Sequence, residues 1–374
     1  MYQIQYLEGL EGFRALEKDW QALVEHLDRP HYNQCPEWYG AYLDAIPDAP
    51  KLTFCAVYKK SELVAILPHV FMGLRRFNFL LFKRQVRKAG LPYGEDIYSS
   101  DIVIAQSADP VEVWKAISKD MRKGAHAWEI FQVVSVLQSQ NGFARLFNEH
   151  LSDSGLVFKK SPTYCNVINL KPYEELAADL KKKFRQQLQR SARTLNELGE
   201  FSASWHELAQ VPDALEKFIE LELEGWKGQP DSPKEGYATP SAIGLLDWKS
   251  RMYRQMFSRF SARGCARVLL LHLDHEVIGA QLSLPIGRTE YVLKTSMKEG
   301  FGTRVSIGHL MIEALIKRVE ADNPTRHLKI DELNLLSNYD WPKPWLPERR
   351  PYFNYQIYNQ SFLGRLLAIR RQLT

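Results

Sequence analysis

The 374-residue chain is 45% hydrophobic and 25% charged, a globular composition that excludes disordered and fibrous classes. Its length predicts two domains rather than one small core. A net charge of +5 is too mild to imply nucleic acid by itself. Cys35, Cys55, Cys165 and Cys265 form no CxxC pair, so neither a disulfide framework nor a metal site is expected.

The N-terminal MYQIQYLEGLEGF lacks the basic-then-apolar run of a signal peptide, and no apolar stretch approaches membrane-span length, so a cytoplasmic location is expected. Apolar spacing predicts helices at Phe13–Glu25 and Pro36–Leu43, then a hairpin within Phe54–Phe71. A basic stretch, Arg75–Lys88, follows, then a strand at Asp101–Ile104, a helix at Pro110–Met121 and a strand at Trp128–Val136. The strand-like TYCNVINL lies near a domain boundary expected within Phe158–Pro172.

The second half repeats this order. Helices are expected at Ala177–Leu198, Leu215–Trp226 and Ala242–Ala262, then a hairpin within Val268–Ile286. A strand at Glu290–Ser296, a helix opening at Ser306 and a strand at Arg326–Leu335 complete it. FCAVYKKSELVAILPHVF and VLLLHLDHEVIGAQLSLPI echo each other, which suggests a duplicated α/β (α+β) unit of helices on a mostly antiparallel sheet. The division expected is 1–160 and 161–374.

Helix Ala177–Leu198 sets Leu180, Phe184, Leu188 and Leu195 on one face, with Lys182, Arg185, Arg190 and Arg193 elsewhere and no acid between Lys182 and Glu197. A face of one sign is repulsive unless something anionic lies against it. Ser306 suits an N-cap, and Gly308 removes a side chain where a ligand can approach the first-turn amides. A capped core helix gives the same pattern. His272 and His275, in HLDH, read as exposed turn residues. Walker, GxGxxG, HExxH, GxSxG and kinase signatures are absent, which suits a transferase that aligns two substrates.

In order, LEKDWQALVE, PEWYGAYL, ELVAILP, KKKFRQQLQRSARTLNELGEF, LELEGWKG, EVIGAQL, KTSMKEGFGTRVSIGHLM and WLPERR resemble the acetyltransferase-like proteins of cellulose and exopolysaccharide biosynthesis. These are tandem members of the GNAT superfamily with an architecture similar to FemAB aminoacyl transferases. The resemblance implies two tandem GNAT-like domains, the first degenerate and shaping the acceptor side. It makes Arg304, Ser306, Ile307, Gly308, His309 and Leu310 the pyrophosphate loop of an acyl-coenzyme A. Here Ser-Ile-Gly stands where the family has Ser-Pro-Gly. It places Lys294 beside the donor, Trp226 and Lys227 in a GWKG motif, and Trp345, Arg349 and Arg350 in a closing element. Arg185 and Arg190 match a helix facing a phosphorylated acceptor, and Asp331 matches an aspartate that would serve as general base. Lys294 can equally be exposed, Trp226 packing, Asp331 a loop cap, and Arg349 and Arg350 ion-paired.

The function expected is transfer of an acyl group from acyl-CoA or acyl carrier protein to an amine, by direct attack in a ternary complex, with no tightly bound cofactor and no metal. Two rivals stand beside it. One is aminoacyl transfer from charged tRNA, with RRFNFLLFKR on the RNA; the other is a non-catalytic scaffold in a polysaccharide synthase or export assembly. The basic amphipathic SFLGRLLAIRRQL would touch a membrane surface or partner, or close the last domain.

Overall fold

A computed structural model describes residues 2–46, 52–79, 82–90, 101–122, 124–137, 143, 146, 156–159, 163–229, 241–301 and 305–372. The chain forms two compact units. One comprises Met1–Leu43, Pro47–Tyr164 and Arg350–Thr374, and the other Asp44–Ile46 and Cys165–Arg349. Residues 350–374, which the sequence division put in the second half, thus cluster with the first.

In the first unit, β1 (Tyr2–Glu8) leads into α1 (Gly9–Glu25), whose stripe of Phe13, Leu16, Trp20, Leu23 and Val24 is buried, and α2 (Pro36–Ala45) follows. The predicted hairpin is β2 (Leu52–Lys59) and β3 (Glu62–Phe79). Its two-residue turn sets both Lys60 and Ser61 at positive φ, the geometry that matches strand twist. β4 (Phe82–Gly90), β5 (Val103–Ile104), α3 (Pro110–Asp120), β6 (Ile130–Leu137) and β7 (Leu156–Lys159) complete the N-terminal part. β14 (Glu348–Tyr358) returns to pair with β6, giving the order β1-β2-β3-β4-β6-β14. All neighbours are antiparallel except β4 and β6. Trp114, Trp128, Phe131 and Phe143 fill the core. The last helix, α9 (Phe362–Gln372), packs Leu367 and Ala368 on Ile130 and Tyr358 and leaves Phe362 and Ile369 exposed.

β8 (Thr163–Asn169), the predicted TYCNVIN strand, leads into the second unit, which it enters at Cys165. The basic helix is broken at Leu180, so α4 (Tyr173–Asp179) and α5 (Lys182–Leu198) replace one run. β9 (Phe201–Glu207), α6 (Val211–Glu224) and α7 (Asp247–Ala262) precede the second hairpin, β10 (Arg267–Leu273) and β11 (Glu276–Ile286). β12 (Thr289–Met297), α8 (Ile307–Asp322) and β13 follow; β13 is only Glu332–Asn334, shorter than the strand expected over 326–335. The order is β9-β10-β11-β12-β13-β8, antiparallel except for β12 and β13. Strand for strand this is the first unit's order, with β8 in the place of β14. The echo of the two hairpins therefore reflects a repeated architecture.

One side of this second sheet carries α5 and α8. Leu269, Leu271, Ile307, Leu310 and Met311 form one cluster, and Phe184, Leu188, Ile312, Leu315 and Trp345 another. Arg267 is 3% exposed and binds Glu207, Glu290 and the α8 residue Asp322, pinning the end of that helix.

Candidate functional site

Strands β12 and β13 pair only from Thr289 to Tyr291, opposite Glu332 to Asn334. The Asn334 side chain then accepts the Leu336 amide at 2.9 Å, and Leu336 turns away at φ 50°. β12 runs on to Met297 without that neighbour, so the two parallel strands open into a gap. A register shift makes Leu293 an extra residue, because Leu282 faces Lys294 while Ser283 faces Val292. Such a bulge re-aims the strand where the gap begins.

The start of α8 lies beside the far end of β12. A Cβ built on Gly308 would stand 3.3 Å from the Met297 side chain, so the glycine lets the helix backbone approach it closely. Ser306 holds the N-cap position, but its side chain makes no cap bond, contrary to the sequence expectation. Its own amide instead donates to the Ser191 hydroxyl on α5 at 3.1 Å. First-turn amides have no partner inside a helix and gather the positive end of its dipole. The equivalent helix of the first unit, α3, differs: the Asp109 carboxylate accepts the Val111 and Glu112 amides at 2.8 and 3.3 Å. A carboxylate closes that helix start to an anion; among the described residues the α8 start has no such group. Leu310 is no donor, because its amide already bonds the Ser306 carbonyl.

His309, in the first turn of α8, is held among Phe184, Trp341 and Trp345. The Trp345 indole donates to His309 Nδ1 at 3.2 Å, which puts the neutral ring's proton on Nε2. Burial pushes its pKa down to about 4, so at neutral pH the ring is an uncharged N–H donor. Trp345 itself is 0% exposed and belongs to the core.

On the other side of the sheet, the GWKG motif folds back on α6. A Cβ on Gly228 would stand 2.0 Å from the Leu223 carbonyl oxygen, so only glycine fits that turn. The turn carries Lys227 to Glu222, a fully buried carboxylate that the sequence reading did not single out. Glu222 Oε1 accepts from Lys227 and Lys294 at 3.2 and 3.3 Å, and Oε2 accepts the Ile243 amide at 2.7 Å. Lys227 also donates to the Thr295 carbonyl at 2.6 Å, on β12 past the split. Lys294 and Lys249 both donate to the Ser241 carbonyl at 3.2 Å. Trp226 and Tyr253 lend ring faces, 5.9 and 5.8 Å from the Lys227 and Lys294 ammonium groups.

Other expected residues lie elsewhere. Asp331 is at the closed end of the split, ahead of the first paired residue, where Arg288 Nε and Nη2 donate to it at 2.9 and 2.5 Å. That ion pair, not an open carboxylate beside the gap, is its environment. Arg185 and Arg190 are exposed on α5, and Arg349 is exposed and Arg350 half-buried on β14. Arg304 and most side chains of Arg75–Lys88 fall outside the described residues. His272 is a strand residue rather than a turn residue; Ser204 Oγ lies 2.8 Å from it and 2.9 Å from His206. Among the described residues there is no group of His, Cys, Asp and Glu suited to a metal, and no helix is long and apolar enough to cross a membrane.

Residues 182–330 match the family model of the acetyltransferase (GNAT) domain. The sequence matches no curated protein. Among solved structures the chain is similar to FemX, at 11% identity and TM-score 0.58 over 94% of this chain and 98% of that one. It is similar to L-PGS from Bacillus licheniformis, at 12% identity and TM-score 0.53 over 95% and 96% of the two chains. A tandem GNAT protein from the clavulanic acid biosynthesis pathway shares 10% identity and TM-score 0.50 over 96% and 99%. At these identities the likeness is one of fold: two tandem GNAT-like halves, each a mixed, mostly antiparallel sheet flanked by helices.

Proposed function

We propose that the second unit moves an acyl group from an acyl-thioester to an amine. The observation that carries this reading is the start of α8, where the Ser306 side chain makes no cap bond, beside the open edge of β12. The thioester's pantetheine arm enters the gap, and its pyrophosphate rests on the Ile307, Gly308 and His309 amides, with Ser306 as the turn residue. Amides on the gap side of β12, beyond the end of its pairing with β13, polarise the thioester carbonyl as the amine attacks. The tetrahedral intermediate collapses with loss of the thiolate, and the proton given up by the nitrogen ends on that sulfur, so the products are an amide and a free thiol. Asp331, bound to Arg288, is not assigned that proton. Alignment and amide donation are the protein's contribution to rate.

Coenzyme A or an acyl carrier protein is the donor, and the acceptor is an amine of envelope polysaccharide metabolism, as the sequence resemblance suggests. The exposed basic face of α5 suits an acidic carrier protein. It also supports a second reading, aminoacyl transfer from charged tRNA, whose binding would fall steeply with salt. The test is release of free thiol from acetyl-coenzyme A in the presence of a panel of amines. Amine-dependent release supports the reading; release with no amine dependence, or none with any donor, contradicts it.

A further inference from the structure

Asn334 stands where the split begins. It is the last residue of β13 to pair with β12, opposite Tyr291, and it is 0% exposed. Its Oδ1 accepts the amide of Leu336, further along the chain, so the planar side-chain amide lies past the last pair, where the strands part. A backbone N–H must be met by an oxygen, which fixes which way round the side chain lies and leaves Nδ2 with its N–H groups to place. Among the described residues no acceptor takes them. Asn166 and Asn359, buried as well, each send Nδ2 to a backbone carbonyl, that of Tyr339 and that of Trp128. On β13 itself the buried Glu332 accepts the Thr289 hydroxyl at 2.7 Å. Buried donors are nearly always paired, so an orphan at the fork of two strands marks a place that a bound group completes.

We propose that Asn334 Nδ2 is an oxyanion donor, bonding the carbonyl oxygen of the acyl thioester at the closed end of the gap. This inference rests on the acyl-transfer reading and names a side chain that serves it. The start of α8 lies beside Met297, and Tyr291 is about 20 Å back along β12, room for an extended pantetheine arm laid along that strand. The acyl end of such a donor therefore arrives at Asn334. The bulge at Leu293 follows directly on Tyr291, so the β12 amides and the Asn334 side chain meet the carbonyl from the two sides of the fork. Its oxygen has lone pairs for both. As the C–N bond forms, the carbonyl π pair moves onto that oxygen; it returns as the C–S bond breaks, and the nitrogen's proton ends on the sulfur. Donors already fixed in a buried site meet the transient charge without reorganising. The Leu336 amide supplies that fixing by holding Oδ1 at 2.9 Å. An asparagine carries no titratable proton, so this role is charge stabilisation and not acid–base chemistry.

Infrared difference spectroscopy tests this on the full chain with acetyl-coenzyme A isotope-labelled at the acetyl carbonyl and no amine present. Binding should lower the carbonyl stretch in the parent. Asn334→Asp and Asn334→Ala should each return part of that shift, while calorimetry finds coenzyme A affinity within about threefold of the parent. The aspartate keeps an acceptor for the Leu336 amide but brings no N–H; the alanine brings no buried charge and reads the same loss where the aspartate does not fold. With an amine that the parent accepts, kcat should fall about a hundredfold in either variant. A stretch that is the same in parent and folded variants overturns the role. So does a loss of coenzyme A affinity of about tenfold or more, which puts the N–H on the pantetheine arm instead. A parent that binds no coenzyme A overturns the thioester reading and this role with it, whereas binding with an unshifted carbonyl overturns the role alone.

Discussion

The Ser191 hydroxyl, fully buried on α5, accepts the backbone amide of Ser306 at 3.1 Å and so sets where α8 begins. On α5 the buried stripe reads Phe184, Leu188, Ser191, Leu195, a hydrophobic pattern with one polar member. That member fills a core position with a hydrogen bond to the turn that the proposed donor must meet.

Ser191→Ala leaves the Ser306 amide without this partner. The cost to stability should be about 1–2 kcal/mol, the range for a lost bond to a partly buried amide. Because the amide fixes the helix start, coenzyme A affinity should fall with it. Chemical denaturation and calorimetry on the same variant check both, and an unchanged denaturation midpoint would remove Ser191 as the anchor.

The state of His309 gives a pH signature. Its folded pKa of about 4 lies below the unfolded value of about 6.5, so between these values the unfolded chain binds more protons. Its neutral-form contribution is fully present above about pH 6.5 and is lost as pH falls toward 4. His31 and His69, pushed by burial to about 3 and about 4 in the other unit, act in the same direction. His309→Gln should therefore flatten the fall of the melting temperature between pH 6.5 and 4.5 without abolishing it. Parallel curves for the two proteins would contradict the buried neutral ring.

Asp331→Asn should behave as a structural change. Its side chain is 30% exposed and that of Arg288 40%, so losing the pair should cost about 0.5–1 kcal/mol after solvent screening. Turnover should stay within about threefold of the parent, whereas loss of a general base costs about a hundredfold or more. Steady-state kinetics distinguishes the two, and a hundredfold fall in kcat with the fold intact would restore the catalytic aspartate.

What the sequence makes legible follows the range of the forces involved. Both hairpins are local, set by alternating apolar residues and by turns such as Lys60–Ser61, so the repeated architecture is readable from the chain. The α8 start is readable because Gly308 and the following apolar pattern are contiguous. The catalytic reading of Asp331 came from the family resemblance; its ion pair was not legible, because Arg288 is 43 residues away and nothing local announces it. Glu222 was legible as part of LELEGWKG but not as the buried hub of Lys227 and Lys294, since the second lysine arrives from β12. The return of β14 to β6 joins segments more than 200 residues apart, which periodicity cannot encode.

Whether the α8 start holds the phosphates of a thioester donor is decided by one titration. Coenzyme A is titrated calorimetrically into the protein and into Gly308→Val, whose new side chain meets Met297 and Trp341 where the helix approaches β12. Saturable binding to the parent is expected, with at least about tenfold weaker binding to the folded variant, the loss of one or more charge-assisted amide contacts. Equal affinity in the two folded proteins would contradict it and return α8 to the status of a core helix.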